Sequence, residues 1–231
     1  MFSLLNETLN LLLPGFCSGC NKKLTAKEQW LCNNCFSALE IADSAFINSF
    51  YNEKFAGVSH INFLYSCFKY QKGEVFQKLI HKLKYEGYFR IGKFLGNILG
   101  NNLIKSLPIN EYNIILPVPI HKIKKIERGF NQSEYIAKQI AKITNINYST
   151  KVVFRKVYKE SQTTYNKIER LNNIKGVFYI KNPDLIKSKN VIVVDDIITT
   201  GGTVIEITNL CKKAGANNIA VLSAGLTVLK C

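Results

Sequence analysis

The sequence predicts an α/β protein whose larger part is a doubly wound, mostly parallel sheet, preceded by a small module built on four cysteines. Three observations carry this prediction. Strand and helix patterns alternate after Pro108. Val191–Val194 is a run of four β-branched residues, which is typical of a central parallel strand buried on both faces. Two Cys-x-x-Cys pairs stand near the start. We therefore expect an N-terminal helix and cysteine module over residues 1–60 and the larger domain over residues 61–231.

Hydrophobic spacing places the individual elements. It predicts strands over Ile61–Phe68, Ile114–Val118, Lys151–Phe154, Val177–Ile180, Val191–Val194 and Ile219–Ala224. It predicts helices over Val75–Leu83, Ile91–Leu103, Ser133–Ile143 and Thr203–Ala214. The second of these helices has a glycine at every fourth position, which lowers helix propensity but favours close packing against another helix: Gly92, Gly96 and Gly100. Residues 41–60 are mixed and polar and predict a linker, and residues 155–175 predict a polar, basic loop.

The charge of the chain is strongly positive and unevenly spread. Among 231 residues, 31 Lys and Arg face 16 Asp and Glu, for a net charge of +15. Residues 1–68 hold four bases and five acids, so the whole excess lies in residues 69–231. This part is predicted to meet a polyanion such as nucleic acid, nucleotide phosphate or anionic lipid. The alternative is that some of these bases only solvate the surface.

The start of the chain predicts a short packing helix. Met1–Pro14 has its apolar residues on one helical face and lacks the basic beginning of a signal peptide. No stretch approaches the roughly 20 apolar residues that a membrane span needs. We therefore expect a cytoplasmic protein that is not integral to a membrane.

Four of the seven cysteines form a spacing typical of a metal site. Cys17 and Cys20 make one Cys-x-x-Cys pair, and Cys32 and Cys35 make another, with eleven residues between the two pairs. Two such turns can direct four thiolates at one ion, so the pattern predicts structural zinc. Disulfides suit secreted proteins, and a redox Cys-x-x-Cys normally occurs singly. A closed four-thiolate site supports folding and docking and leaves no position open for chemistry.

The strongest signal for function follows the central strand. Asp195 and Asp196 stand at its end, where ligands bind in α/β proteins. A loop of Thr and Gly then opens a helix: Thr199, Thr200, Gly201, Gly202 and Thr203. Glycine lets the backbone approach an anion, and N–H groups at a helix start point towards it, so the loop suits a phosphate monoester. The carboxylates would repel that phosphate and need neutral donors such as ribose hydroxyls. A plain strand–turn–helix does not explain the acidic pair, and a Walker A loop would need Gly-Lys-Ser/Thr.

This run resembles the phosphoribosyl pyrophosphate motif of type I phosphoribosyltransferases. The resemblance implies that Asp195 and Asp196 bind the ribose hydroxyls and that Thr199–Thr203 holds the 5′-phosphate. It also implies a pyrophosphate loop over Pro119–Phe130, with Arg128 and Gly129 as contacts. Magnesium would enter together with phosphoribosyl pyrophosphate.

Further segments resemble the ComF family of DNA-uptake (competence) proteins. They are the two cysteine pairs, Lys82–Gly87, Pro117–His121 and Arg128–Gln132, in an order that spans most of the chain. The resemblance implies single-stranded DNA handling in natural transformation, with other DNA-uptake proteins such as a helicase as partners. The alternative is an active phosphoribosyltransferase that moves ribose 5-phosphate onto an unidentified base or amine.

Bases interleaved with aromatic residues suit a bound single strand, although each aromatic could also be a core residue. The candidate DNA contacts form two groups, Lys82, Lys84 and Arg90, and then Lys122, Lys124 and Lys125.

Overall fold

The computed structural model describes residues 15–156 and 176–228. The predicted helix over Met1–Pro14 and nearly all of the predicted loop over residues 155–175 lie outside these ranges. The helices are α1 (Asn33–Ser37), α2 (Ser44–Lys54), α3 (Val75–Tyr85), α4 (Arg90–Ser106), α5 (Lys122–Arg128), α6 (Gln132–Thr144) and α7 (Gly202–Lys213). The strands are β1 (Phe63–Tyr70), β2 (Ile114–Pro117), β3 (Asn147–Tyr148), β4 (Val153–Arg155), β5 (Phe178–Ile180), β6 (Val191–Ile198) and β7 (Ile219–Thr227).

The main sheet has five strands in the order β1-β7-β6-β2-β3, and every neighbouring pair is parallel. Strand β6 lies between β2 and β7, with Val193 opposite Leu116 on one side and Val221 on the other. The side chains of Val191–Val194 are fully buried, as expected of a central strand. Strand β6 continues to Ile198, four residues beyond the predicted end, so the acidic pair lies within the strand.

Helices cover both faces of this sheet, which confirms the doubly wound α/β prediction. On one face, α3, α4 and α6 pack against side chains such as Ile192 and Val194. On the other face, α2 and α7 pack against Val191 and Val193. Alternate residues of β6 therefore supply the two hydrophobic cores.

The row of glycines in α4 brings that helix close to α6. A Cβ at Gly96 would lie 2.7 Å from the Cβ of Gln139 and 2.8 Å from the carbonyl oxygen of Ile136. A Cβ at Gly92 or Gly100 would likewise lie 2.9 Å from a side-chain atom of α6. The predicted close helix packing is confirmed, and its partner is α6.

Residues 41–60 are not the linker that their polar composition predicted. They contain α2, whose first turn is capped because Asp43 Oδ1 accepts a hydrogen bond of 2.8 Å from the Phe46 N–H. Phe50 and Phe55 are fully buried in the second core. The stretch looks polar because only one face of this surface helix packs inward.

Strands β4 and β5 form a separate antiparallel pair, with the Phe154 and Tyr179 rings stacked 5.6 Å apart. The pair lies beside α7, where the Phe178 N–H donates to Glu206. The sequence predicted both strands but not their separation from the main sheet. Within the described ranges, no helix is long and apolar enough to cross a membrane.

Candidate functional site

The two carboxylates in β6 are held by several donors. Asp195 Oδ1 accepts hydrogen bonds from Ser133 Oγ at 3.0 Å and from the Asp196 N–H at 2.8 Å. Asp196 Oδ1 accepts from the Ile197 N–H at 2.7 Å, and its Oδ2 lies 2.9 Å from Lys84 Nζ. Among the described residues, Asp195 Oδ2 has no hydrogen-bond donor, so this oxygen is free to meet a ligand.

Burial and charge shape the protonation of this site. Burial, followed by the neighbouring charge of Asp196, raises the pKa of Asp195 above its ordinary value. Burial acts to lower the pKa of Lys84, but the carboxylate of Asp196 outweighs it and the pKa is raised. Lys84 is therefore a firmly charged cation beside the acidic pair.

The Thr and Gly loop follows β6 directly and leads into α7. Together with Asp195 it lines one small concave pocket, which comprises residues 195 and 197–204. Gly201 has a φ of +80°, and a Cβ there would lie 2.7 Å from Cε1 of Phe55. Both the backbone angle and the contact require glycine. The Phe55 ring thus packs against the loop at Gly201, a role that the sequence did not indicate.

The segment expected to hold pyrophosphate lies next to the acidic pair. Gly129 ends α5 with a φ of +76°. The guanidinium of Arg128 lies 5.2 Å from the ring centre of Tyr85 and donates to Gln132 Oε1 at 3.1 Å. Tyr85 directly follows Lys84, and Gln132 directly precedes Ser133, which contacts Asp195, so Arg128 lies beside both Lys84 and the acidic pair. Arg128 and Lys84 thus form one cationic wall of the site.

The predicted DNA contacts separate into three environments. Lys84 is directed at Asp196, so the structure removes it from the bases that are free to face a nucleic acid. Lys82 and Arg90 lie near the cysteine module, and the ammonium of Lys82 is 5.6 Å from the ring centre of Tyr88. The remaining three bases are exposed on α5: Lys122, Lys124 and Lys125.

The four cysteines of the N-terminal pairs converge, as their spacing predicted. The sulfurs of Cys17, Cys20, Cys32 and Cys35 all lie within 4.8 Å of one another. The Cys20 and Cys32 sulfurs are 3.7 Å apart, close to the roughly 3.8 Å that tetrahedral zinc with bonds of about 2.3 Å requires. The cluster could hold a metal ion.

Local donors favour the thiolate form that such an ion needs. Burial acts to raise the pKa of Cys17, but the backbone N–H groups of Cys20, Cys32 and Gly19 outweigh it and lower the pKa to about 6. Burial and the adjacent thiols raise the pKa of Cys35. If all four sulfurs were thiolates at these distances, a cation would have to offset their charge. The other two described cysteines, Cys67 and Cys211, are buried apart from this cluster.

Two residues of the carboxylate site were not found by sequence reasoning. Ser133 lies 62 positions from its partner Asp195 and follows the helix-capping Asn131, so its spacing carries no sign of this contact. For Lys84, the sequence predicted a contact to DNA and not a contact to the acidic pair. Only the packing of α3 and α6 on one face of the sheet brings both to β6.

Comparisons with known proteins agree with this geometry. The family model described as "Phosphoribosyl transferase domain" matches residues 127–226, which include the acidic pair and the Thr/Gly loop. Competence protein F of Haemophilus influenzae is 26% identical over 221 residues, covering 92% of this chain and 91% of that protein. Competence protein ComFC of Streptococcus pneumoniae is 25% identical over 207 residues, covering 90% and 86%. DNA utilization protein YhgH of Escherichia coli K12 is 27% identical over 146 residues, covering 62% of this chain and 63% of the relative.

Solved structures also match part of this chain. Glutamine phosphoribosylpyrophosphate amidotransferase from B. subtilis is 21% identical with a TM-score of 0.41, and the match covers 58% of this chain and 26% of that one. Adenine phosphoribosyltransferase from Saccharomyces cerevisiae is 18% identical with a TM-score of 0.38, covering 61% and 69%.

The parallel sheet and the matching family model define residues 127–226 as a phosphoribosyltransferase domain. The competence proteins align over 90% or more of the chain, well beyond the residues that the family model matches. Over most of its length, the chain resembles the ComF family.

Proposed function

We propose that this protein binds phosphoribosyl pyrophosphate at the carboxylate site and handles single-stranded DNA during DNA uptake. The observation that carries the first half is the adjacent pair of half-buried Asp195 and buried Asp196, which stands beside a glycine-containing loop at a helix start. Carboxylates accept from ribose hydroxyls, whereas N–H groups and threonine hydroxyls donate to phosphate.

Each part of the ligand then has a chemical counterpart. Asp195 Oδ2 accepts from a ribose hydroxyl, and the loop over Thr199–Thr203 binds the 5′-phosphate. Lys84 and Arg128 face the pyrophosphate, where two cations compensate its charge. Bound with the ligand, magnesium supplies further charge compensation through oxygen ligands, and the carboxylates of the pair are of the oxygen-donor type that it prefers.

The second half of the proposal rests on charge and on relatives. The excess of positive charge in residues 69–231 favours a polyanion partner. The aligned relatives are named competence and DNA utilization proteins, which suggests the same process for this chain. Other DNA-uptake proteins, such as a helicase, are the expected partners, and the cytoplasm is the expected location.

We also propose that the cysteine cluster holds one structural zinc ion. The four ligand sulfurs, the short Cys20–Cys32 separation and the N–H groups directed at Cys17 all support this. All four positions of a tetrahedral ion would be filled, so the zinc would stabilise the module without taking part in a reaction.

A second candidate function is an active transferase. Attack of a base or amine on the ribose would displace pyrophosphate, and Lys84 and Arg128 would stabilise the leaving charge. The same site would serve a protein that only binds phosphoribosyl pyrophosphate and one that transfers its ribose 5-phosphate, and only the second needs an acceptor. Incubation with phosphoribosyl pyrophosphate and magnesium, alone and with candidate acceptors, measures pyrophosphate release. Release that depends on one acceptor would establish the transferase.

Calorimetry tests ligand binding directly. Wild-type protein should bind phosphoribosyl pyrophosphate with magnesium, and the double variant Asp195→Ala, Asp196→Ala should not. Circular dichroism checks that the variant is folded. Unchanged affinity in the folded double variant would overturn the assignment of the ribose contacts.

A further inference from the structure

A groove of about 790 Å³ lies between the cysteine module and the start of α4. Trp30 of the module forms one wall, and Tyr88, Arg90 and Lys93 form the other, with Lys82 at its side. We propose that this groove is the single-stranded DNA site. The two aromatic rings stack on nucleobases, and the three basic side chains, Lys82, Arg90 and Lys93, contact phosphates. The assignment rests on the proposed DNA handling and adds the surface that performs it.

The aromatic residues are arranged for stacking. The rings of Trp30 and Tyr88 meet edge to face, with centres 5.7 Å apart and planes at 79°. Such a pair leaves ring faces that the partner does not cover. Tyr88 remains 42% exposed although it lies in the groove. An exposed ring face offers a surface on which any nucleobase can stack.

The charge of the groove selects an anionic partner. Three basic side chains line the groove, and none of its described lining residues is Asp or Glu. Such a surface attracts phosphates, but a lipid headgroup or free phosphate would not use the aromatic rings for stacking. Duplex DNA stacks its bases internally, whereas a single strand presents them. Positive charge combined with open aromatic faces therefore fits a single strand best.

The module positions Trp30 firmly. Its φ of +61° is a conformation that bulky residues rarely adopt. It is held there because the Ser18 N–H donates to the Trp30 carbonyl at 2.7 Å. The module in turn docks on α3, where Lys78 Nζ donates to the Gly19 carbonyl at 3.1 Å. The cysteine module thus contributes an aromatic wall, although its own charge is close to neutral.

Trp30 provides a direct readout because it is the chain's one tryptophan. Titrating the full-length protein with an oligothymidine strand at low salt should quench Trp30 fluorescence along the same curve as fluorescence anisotropy of the labelled strand. Phosphoribosyl pyrophosphate should leave this fluorescence unchanged, since Asp195 and the Thr/Gly loop line another pocket.

Variants divide the site into its two interactions. The double variant Arg90→Gln, Lys93→Gln should flatten the log–log salt dependence of binding by about 1.4, since each phosphate contact on a single strand contributes about 0.7. Its matched control is Lys105→Gln, Lys213→Gln, which removes the same charge at exposed positions outside the groove. Tyr88→Leu should weaken binding about 5- to 150-fold. Its control is Tyr179→Leu, an exposed tyrosine on β5.

The outcomes separate this inference from the proposed function. Binding without Trp30 quenching, or equal effects of groove and control variants, would overturn the groove but leave DNA handling intact. Absence of single-strand binding at low salt would overturn both. Quenching that occurs equally with inorganic phosphate would show an anion site without base stacking. Metal content and circular dichroism establish that each variant is folded.

Discussion

Lys84 Nζ lies 2.9 Å from Asp196 Oδ2, and this ion pair joins helix α3 to the acidic pair of the central strand. Both side chains are mostly shielded from solvent, since 22% of the Lys84 side chain and 11% of the Asp196 side chain are exposed. The pair compensates one of two adjacent carboxylates. Lys84 lies outside the residues that match the phosphoribosyl transferase family model, yet it completes the site.

Replacing Lys84 with methionine should weaken the binding of phosphoribosyl pyrophosphate about 10- to 100-fold, because a hydrogen-bonded charge is lost and the acidic pair is left uncompensated. Calorimetry measures the change. Lys82→Met is the matched control on the same helix and should keep wild-type affinity. Equal affinities for both variants would show that Lys84 only stabilises the apoprotein.

Replacing Asp195 with asparagine should alter how stability depends on pH. Because the folded-state pKa of Asp195 is raised, the folded chain retains a proton that the unfolded chain has lost above about pH 3.9. Wild-type stability is therefore lost as pH rises from that value to the folded pKa. The advantage of Asp195→Asn over wild type should grow by up to about 1.4 kcal/mol per pH unit in this window.

Urea unfolding at several pH values between 5 and 7.5 measures the difference in free energy of unfolding between wild type and Asp195→Asn. Effects common to both proteins, such as metal loss, cancel in this difference. The exposed Asp184→Asn variant serves as control. Stability curves for wild type and Asp195→Asn that run parallel would contradict the raised pKa.

Replacing Gly201 with alanine should disturb the Thr/Gly loop in two ways. The left-handed backbone costs about 1–2 kcal/mol for a residue with a Cβ, and the new Cβ would collide with Phe55. Gly57→Ala is the matched control, because Gly57 has a φ of +73° and no atom within 4 Å of an added Cβ. Thermal unfolding should show the larger loss for Gly201→Ala, and only this variant should lose phosphoribosyl pyrophosphate affinity. Equal losses would mean that Phe55 yields.

Removing one cysteine ligand should release the metal. We expect one zinc per chain in wild type and none in Cys32→Ala, with hydrogen exchange rising first over residues 15–40 because the small module has little core of its own. Cys211→Ala, at a buried cysteine outside the cluster, should keep its zinc. Elemental analysis decides, and full zinc in Cys32→Ala would refute the ligand set.

Much of the fold follows from local patterns. The β-branched run of β6 marks a strand buried on both faces, because no half-exposed strand tolerates four such residues in succession. The glycines of α4 announced a close helix contact but not its partner. The linker prediction for residues 41–60 was wrong because the burial of Phe50 and Phe55 depends on the sheet face against which α2 packs.

The acidic pair, the Thr/Gly loop and the four converging cysteines could be recognised from the sequence, because each is a local pattern whose chemistry depends on short spacing. Which distant groups join them follows from the tertiary structure. Lys84 and Ser133 reach β6 through helix packing, and Trp30 meets Tyr88 through docking of the module. These contacts join residues 58 to 112 positions apart. No local propensity encodes such a distance, since it is set by how whole helices and strands bury their apolar faces together.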